Sequence, residues 1–218
     1  MYQLPHPLST LAQPPPKDTY NSRVKSKIID HWESVLRESV SALSSAPFFK
    51  PEFMSLRSPH PLWMAAGSNP FECRKAVVAA RMLSGRYPTD RLQRHWTQNK
   101  SGVCLLPACA PSQSPGSLKH LLLYCSALSG TRAKLVGLSQ KLALDNPPLS
   151  DIIVPILNSR NDELILQMLL DCTTLPRVIS ETQVSGTEIR DKLLYLGRTW
   201  CYAIHCERLN QMSLLSFR

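Results

Sequence analysis

The stretch CLLPACAPSQSPGSLKHLLLYC, residues 104–125, decides how the middle of this 218-residue chain can fold. It contains two pairs of side chains in the order C-x4-C and H-x4-C, namely Cys104, Cys109, His120 and Cys125. The spacer between the pairs is rich in Pro, Ser and Gly, a composition that favours turns. Three thiolates and one imidazole form a tetrahedral donor set that suits a zinc ion. The segment therefore predicts a metal site.

Local geometry supports this prediction. A turn at Pro107 brings Cys104 near Cys109, and residues 117–121 begin a short helix. Because His120 and Cys125 are five positions apart, one more than a helical turn, we expect Cys125 at or just beyond the end of that helix. Protein atoms then fill all four coordination positions, which predicts a closed structural zinc site rather than a catalytic one. The alternative is that three core cysteines and a hydrogen-bonded histidine cluster without a metal.

The composition indicates a helical globular protein. Hydrophobic residues make up 43% of the chain and charged residues 19%, and 18 prolines against 8 glycines favour helices interrupted by proline. The seven cysteines, and the absence of a basic region followed by an apolar stretch near the N-terminus, predict an intracellular location in the cytoplasm or nucleus. No apolar run approaches the roughly 18 residues of a membrane span, so we expect no membrane partner.

Hydrophobic periodicity divides the chain into four parts. Residues 1–17 form a disordered Pro-rich arm, and residues 18–66 hold an amphipathic helix with Trp32 facing inward, followed by a Pro-rich aromatic segment. Residues 67–146 hold basic helices and the zinc knuckle, and residues 147–218 form a C-terminal helical region. The predicted fold class is mainly α, a helical array with a small zinc-knuckle insert in the middle.

Individual helices can be placed more closely. Asn69 and Pro70 are a strong helix start, and Gly85 suits the left-handed position after the helix end, with Val77, Val78, Met82 and Leu83 expected to be buried. Further helices are expected over residues 129–144, 150–158, 162–171, 176–184 and 187–212. The last is expected to pack around Leu193, Trp200 and Ile204. We also expect the aromatic residues Phe48, Phe49, Phe53 and Trp63 to pack together.

Positive charge is concentrated in and before the knuckle. Of the chain's charged residues, 18 basic and 8 acidic ones precede residue 147, whereas 7 basic and 8 acidic ones follow it. Such an excess beside a zinc knuckle indicates nucleic-acid binding through phosphate contacts, with Tyr87, His95 and Trp96 as rings for stacking. The alternatives are a solvated basic surface and a core position for Tyr87 and Trp96. The candidate nucleic-acid-binding residues are Arg74, Lys75, Arg81, Arg86, Arg91, Arg94 and Lys100.

Two other kinds of site are less well supported. Cys201 and His205 are one helical turn apart and with Cys172 supply part of a second metal site, but no second pair completes it, so we interpret them as core residues. The chain has no phosphate-binding loop, nucleophile elbow, H-E-x-x-H motif or paired polymerase carboxylates. We therefore predict that it is not an enzyme.

The order of several segments resembles the C-terminal region of non-LTR retrotransposon polyproteins. The resemblance covers about residues 45–210 and rests on SPHPLW, KAVVAARMLSGRYPTDRLQRHW, GVCLLPACAPSQSPGSLKHLLLYCSAL, LLDCTTLPRVIS and YLGRTWCYAIHCERL. In that family a Cys-Cys-His-Cys zinc knuckle follows the reverse transcriptase core. The resemblance implies that Cys104, Cys109, His120 and Cys125 bind zinc.

The resemblance also sets the expected function. It implies a zinc-binding tail module that binds RNA or DNA near a reverse transcriptase core, in a chain that looks like a truncated copy of such an element. The polymerase and endonuclease carboxylates of the family have no counterpart in this sequence. The main alternative is a structural or protein-interaction helical module that zinc holds together. A third possibility is an enzyme that gains activity only with a polymerase partner.

Overall fold

The computed structural model describes residues 16–42, 48–50, 55–93, 101–109, 113–185 and 187–216. Over these ranges the chain is helical, and its single β-bridge joins Val103 to Pro115. The prediction of a mainly α fold is confirmed, whereas all but the end of the predicted Pro-rich arm lies outside the described residues. None of the described helices has the length and apolar character that a bilayer span requires. The helices are α1 (Lys17–Ser41), α2 (Pro61–Met64), α3 (Pro70–Leu83), α4 (Asp90–Gln93), α5 (Ser129–Asp145), α6 (Pro147–Asn158), α7 (Asp162–Asp171), α8 (Pro176–Ser185) and α9 (Glu188–Ser216).

Contacts divide the described chain into two units. The first contains α1 with residues 50 and 55–60, and the second contains residues 48–49 and everything described from Pro61 onward. The described parts of the predicted segments 67–146 and 147–218 both belong to the second unit.

Helix α1 of the first unit forms where the sequence predicts it, but it does not bury Trp32. No residue of α1 is buried, and Trp32 is 48% exposed. The contacts of α1 within this unit are polar: Glu33 Oε1 accepts hydrogen bonds from Leu56 N and Ser55 Oγ, and Arg57 forms an ion pair with Asp30 at 2.7 Å. The predicted inward position of Trp32 is therefore wrong, because the short described segment facing the helix brings polar groups instead of an apolar surface.

Helix α3 of the second unit begins and ends as its sequence predicts. Asn69 Oδ1 accepts a hydrogen bond from Phe71 N at 2.9 Å, and Pro70 occupies the first helical position. At the other end Gly85 has φ +68°, and Arg86 N donates to Arg81 O at 2.8 Å, which is a Schellman closure. The buried residues of α3 include Val78, Met82 and Leu83, but Val77 is exposed, so that expectation was wrong.

Helix α9 lies at the centre of the second unit. It packs against α3, α7 and α8, and a Cβ on Gly197 would collide with the backbone oxygen of Leu169 on α7. Leu193, Trp200 and Ile204 are buried, as predicted. Of the aromatic residues expected to pack together, Phe48 and Phe49 lie against the core, whereas Trp63 is exposed and Phe53 lies outside the described residues.

Two buried arginines tie α9 to the residues that precede the knuckle. Arg198 donates to the backbone oxygen of Ala65 at 3.1 Å and pairs with Glu72 at 3.3 Å. Arg208 donates to Pro88 O at 2.7 Å and pairs with Asp90 at 3.2 Å. Because a buried charge needs a partner, these contacts fix how α9 sits against α3 and α4.

Candidate metal centre

The four predicted ligands come together in the second unit. One donor atom from each of Cys104, Cys109, His120 and Cys125 lies within 4.8 Å of the others, and all four residues are buried. The Cys109 sulfur is 3.3 Å from the Cys125 sulfur and 3.5 Å from Nε2 of His120. The Cys104 and Cys125 sulfurs are 3.9 Å apart.

These distances fit a common ion. With metal–sulfur bonds of about 2.3 Å and metal–nitrogen bonds of about 2.0 Å, tetrahedral coordination separates two sulfurs by roughly 3.8 Å and a sulfur and a nitrogen by roughly 3.5 Å. The two sulfur–sulfur distances, 3.3 and 3.9 Å, lie on either side of the first value, and the sulfur–nitrogen distance of 3.5 Å agrees with the second. The cluster could therefore hold a metal ion. It is the only group of three or more potential ligands of this kind in the part of the chain that the structure describes.

The first ligand pair is shaped by backbone hydrogen bonds. Cys109 N donates to Leu106 O at 2.8 Å, which closes the turn that contains Pro107. After the spacer, the chain returns beside its own start: Cys104 N donates to Ser114 O at 2.8 Å and Gly116 N donates to Gly102 O at 2.9 Å. The small size of Gly116 is required here, because a Cβ at this position would lie 2.6 Å from Cβ of Asp90.

The second ligand pair lies on a π-helical turn. Residues His120–Tyr124 form this turn, and Cys125 N donates to His120 O at 2.7 Å, an i to i+5 hydrogen bond. A turn of this kind brings residues five apart onto one face, whereas an α-helix does so for residues four apart. The sequence expectation that Cys125 falls just past a helix end was correct about position, and the π turn explains how both ligands still face the same point.

The thiols do not have equal proton affinity. Hydrogen bonding from Cys125 is the main cause that lowers the pKa of Cys104, to about 6, whereas donation to Cys104 raises the pKa of Cys125. Burial acts to raise the pKa of Cys109, but hydrogen bonds from Ser126 and the Ala127 backbone outweigh it, so that pKa is lowered. Thiolate is the form that binds metals, so the lowered pKa values of Cys104 and Cys109 favour metal binding, whereas Cys125 must lose its proton when an ion binds.

The cluster has charged neighbours that the sequence did not reveal. Arg132 on α5 is close enough for the thiolates of Cys125 and Cys109 to affect its pKa, which burial lowers. Asp90 is close enough to Cys104 to oppose the fall of that residue's pKa. Both lie outside the C-x4-C and H-x4-C pattern, so no local signal pointed to them.

The second group of metal-ligating residues behaves as core. Cys172 and Cys201 are both buried, and burial raises the pKa of Cys201 to about 12. Nδ1 of His205 lies 3.0 Å from the hydroxyl of Tyr87. These three residues are not among the groups of potential ligands found in the described part of the chain.

The candidate nucleic-acid-binding residues of the segment 72–100 fall into three sets. Arg74, Arg81, Arg86 and Arg91 are exposed. Lys75 is 6% exposed, pairs with Glu72 at 2.7 Å and lies over the ring of Phe71. Arg94 and Lys100 lie outside the described residues, as do His95 and Trp96.

Tyr87 belongs to the core rather than to a surface for stacking. It is buried, its hydroxyl lies beside His205, and the guanidinium of Arg208 lies 5.6 Å from its ring centre. The core alternative is therefore correct for Tyr87.

Comparison with protein-family models, with curated proteins and with solved structures gives no match to this chain.

Proposed function

We propose that this chain is a nucleic-acid-binding module that a zinc ion holds together, the tail of a retroelement reverse transcriptase with no catalytic residues of its own. In this proposal it holds RNA or DNA near a polymerase core, inside the cell. The convergence of four buried donors from two separate segments carries the metal half of the proposal. The order of the segments that resemble retrotransposon polyproteins supports the proposed origin.

Zinc is the metal that suits these donors best. Three thiolates and an imidazole are a common set for structural zinc, and the hard cations Mg²⁺ and Ca²⁺ prefer oxygen ligands. Four protein ligands leave no position for a substrate or a reactive water, so we assign the ion a structural role.

Exposed arginines carry the nucleic-acid half of the proposal. Arg74 and Arg81 are seven residues apart on α3 and so share one face, and Arg86 and Arg91 follow after the helix end. None of the four pairs with an acid in the described part of the chain. The ring of Phe71, one turn before Arg74, is 51% exposed, but Lys75 lies over it and Tyr202 contacts it, so the arginines carry this half of the proposal without it. Lys75 is not part of this proposed surface, because Glu72 already binds its ammonium group.

A protein-interaction module held together by zinc is the second candidate. It is favoured by an apolar row on α1, where the spacing of Tyr20, Val24, Ile28 and Trp32 repeats every four residues, and three of these large side chains are exposed. An exposed row of this kind suits a partner helix or groove.

Metal analysis of the purified full chain tests the zinc assignment. We expect one zinc per chain in the wild type and none in the double variant Cys104→Ser/Cys109→Ser, because two of the four ligands are lost. Cys73→Ser is the matched control, since Cys73 is half-buried and its sulfur contacts the backbone oxygen of Gly67 instead of the cluster. Equal zinc content in the double variant and the wild type would refute the assignment.

Fluorescence anisotropy with labelled single-stranded RNA and DNA, measured at several salt concentrations, tests the nucleic-acid half. In the triple variant Arg81→Gln/Arg86→Gln/Arg91→Gln we expect weaker binding and a salt slope smaller by roughly 0.7 for each phosphate contact that is lost. The matched control is Arg23→Gln/Lys25→Gln/Lys27→Gln, which removes the same charge from exposed positions on α1.

The control variant shows whether binding depends on where the three positive charges lie or only on the net charge of the chain. Equal loss in both triple variants would mean that overall charge, and not this surface, drives binding. Unchanged affinity and slope in the arginine variant would leave the protein-interaction alternative.

A further inference from the structure

A cavity of about 710 Å³ lies beside the metal centre. Its walls come from α5, α6, the start of α7, one residue of α9 and the π turn that carries His120 and Cys125. The volume is in the range of pockets that bind small organic molecules. It shares Leu123 and Tyr124 with the knuckle, but none of the four metal ligands lines it.

The lining of the cavity is apolar over much of its area and carries a few polar groups. The polar side chains that can reach a ligand include Arg132, Arg160, Asn158 and Tyr124. A mainly apolar pocket with a few polar groups suits a ligand that has a hydrocarbon or aromatic body and one polar end. The apolar lining consists of Leu123, Ala133, Val136, Val154, Leu157 and Ile165.

The charge of the cavity is positive. Arg132 and Arg160 are its two cations and Asp162 is its single acid. Asp162 is already satisfied, since Lys119 pairs with its carboxylate at 2.7 Å and the hydroxyl of Tyr124 donates to it. Neither arginine has an acidic partner in the described ranges of the chain. Arg160, which is exposed, is therefore available to an anion from outside, whereas Arg132 also lies close to the thiols of Cys109 and Cys125.

The backbone of Arg160 supports a role for its side chain. Arg160 has φ +53°, a left-handed conformation that residues other than glycine rarely adopt. Residues in such conformations occur where the surroundings hold them in place, often at ligand sites. Arg160 lies in the connection between α6 and α7 and lines the cavity.

We propose that this cavity binds a small organic anion, a molecule with an apolar body and a single carboxylate or phosphate group that Arg160 binds. The apolar body lies against α5 and α6. This site is separate from the metal cluster and from the exposed arginines of α3, so its test does not depend on nucleic-acid binding.

Titration of the full, zinc-supplemented chain with 1-anilinonaphthalene-8-sulfonate tests the proposal, because this probe combines an aromatic body with one anionic group and fluoresces in apolar surroundings. We expect one binding site per chain. Arg160→Gln should weaken the affinity about tenfold, the usual effect of losing one charge-assisted hydrogen bond. Ala133→Trp, which fills the cavity from α5, should abolish binding.

Two controls make the result specific. Lys134→Gln removes the same charge from the neighbouring exposed position of α5, which does not line the cavity, and should leave the affinity unchanged. N-phenyl-1-naphthylamine, the same body without the sulfonate, should bind wild type and Arg160→Gln equally. Thermal unfolding followed by circular dichroism verifies that each variant is folded.

Competition identifies the head group. Decanoate and decyl phosphate should displace the probe, and the stronger competitor shows whether carboxylate or phosphate is preferred. Decanol and inorganic phosphate should compete at least tenfold more weakly, which corresponds to a difference in binding free energy of about 1.4 kcal/mol. The proposal is overturned if the folded Arg160→Gln and Ala133→Trp variants bind the probe as tightly as wild type, or if decanol competes as well as decanoate.

Discussion

The knuckle, residues 104–125, and helix α9 both contribute buried residues to the second unit, but the chemistry of those residues differs. The knuckle has little regular structure: a β-bridge at Val103 and Pro115, a few turns and one π-helical turn, with polar donors at its centre. Helix α9 is 29 residues long and buries Leu193, Trp200 and Ile204 among its neighbours. The difference teaches that burial alone does not identify the stabilising interaction. The donors at the centre of the knuckle could hold a metal ion, whereas α9 is placed by apolar packing and by the ion pairs of Arg198 and Arg208.

Removing the metal should have the largest effect and should separate the two regions. In small structural zinc modules the binding free energy is on the order of 10 kcal/mol and contributes directly to folding. We expect a zinc chelator to abolish the amide hydrogen-exchange protection of Cys104, Gly116 and Cys125, whose N–H groups form the knuckle's hydrogen bonds. The amides around Trp200 should stay protected. Equal loss of protection in both regions would show that α9 needs the ion as well.

Truncating Trp200 should have the next largest effect. Trp200 is 2% exposed, and replacing a buried Trp by Ala typically lowers the free energy of unfolding by about 3 to 5 kcal/mol. Trp32→Ala on α1 is the matched control, because Trp32 is 48% exposed and its loss should cost less than about 1 kcal/mol. Urea unfolding of the two variants measures the difference. Similar costs would contradict the buried position of Trp200.

Glu72→Gln should have a somewhat smaller effect. Glu72 pairs with Lys75 at 2.7 Å and with Arg198 at 3.3 Å, and both cations are buried. Replacing the carboxylate by an amide leaves the two buried cations without a negatively charged partner, which should lower the free energy of unfolding by about 3 kcal/mol. Glu188→Gln is the control, because Glu188 forms an exposed i,i+4 pair with Lys192 that should contribute little. If urea unfolding showed the same loss of stability for Glu72→Gln and Glu188→Gln, the buried ion pairs of Glu72 would be no stronger than an exposed pair.

The effect of Glu72→Gln should also depend on pH. Burial acts to raise the pKa of Glu72, but hydrogen bonds from Lys75 and Arg198 outweigh it, so the folded-state pKa lies below the usual value. A lowered pKa gives stability that is present above the unfolded value of about 4.3 and is lost as pH falls through the folded value. The difference between wild type and variant should therefore shrink at acidic pH. A difference that stays constant would contradict the assigned ion pairs.

Local signals allowed the sequence to predict the helices and the four donors. The starts of α7 and α3 follow from the capping residues Asn161 and Asn69, whose side chains accept hydrogen bonds from the first turn. The four donors could be recognised because the identity, order and spacing of Cys and His residues are visible in the sequence.

Properties that depend on distant residues could not be predicted. The buried state of Lys75 depends on Glu72 and on the ring of Tyr195, 120 positions along the chain and 5.0 Å away in space. The periodicity of α1 shows which face is apolar, but not whether anything covers Trp32. The cavity beside the metal centre brings together Arg132, Arg160 and Trp200, and no short motif links them.

The π turn between His120 and Cys125 has a consequence for how this segment tolerates changes in length. A π turn is equivalent to an α turn with one residue inserted. Here the turn keeps Leu121 and Leu122 fully buried, while His120 and Cys125 at its two ends both belong to the ligand cluster. Deleting one residue would leave His and Cys four apart, a spacing that an ordinary helix can still present to a metal. The remaining leucines would then rotate relative to the core. The extra residue thus reconciles two demands on one turn, ligand direction on one side and apolar packing on the other.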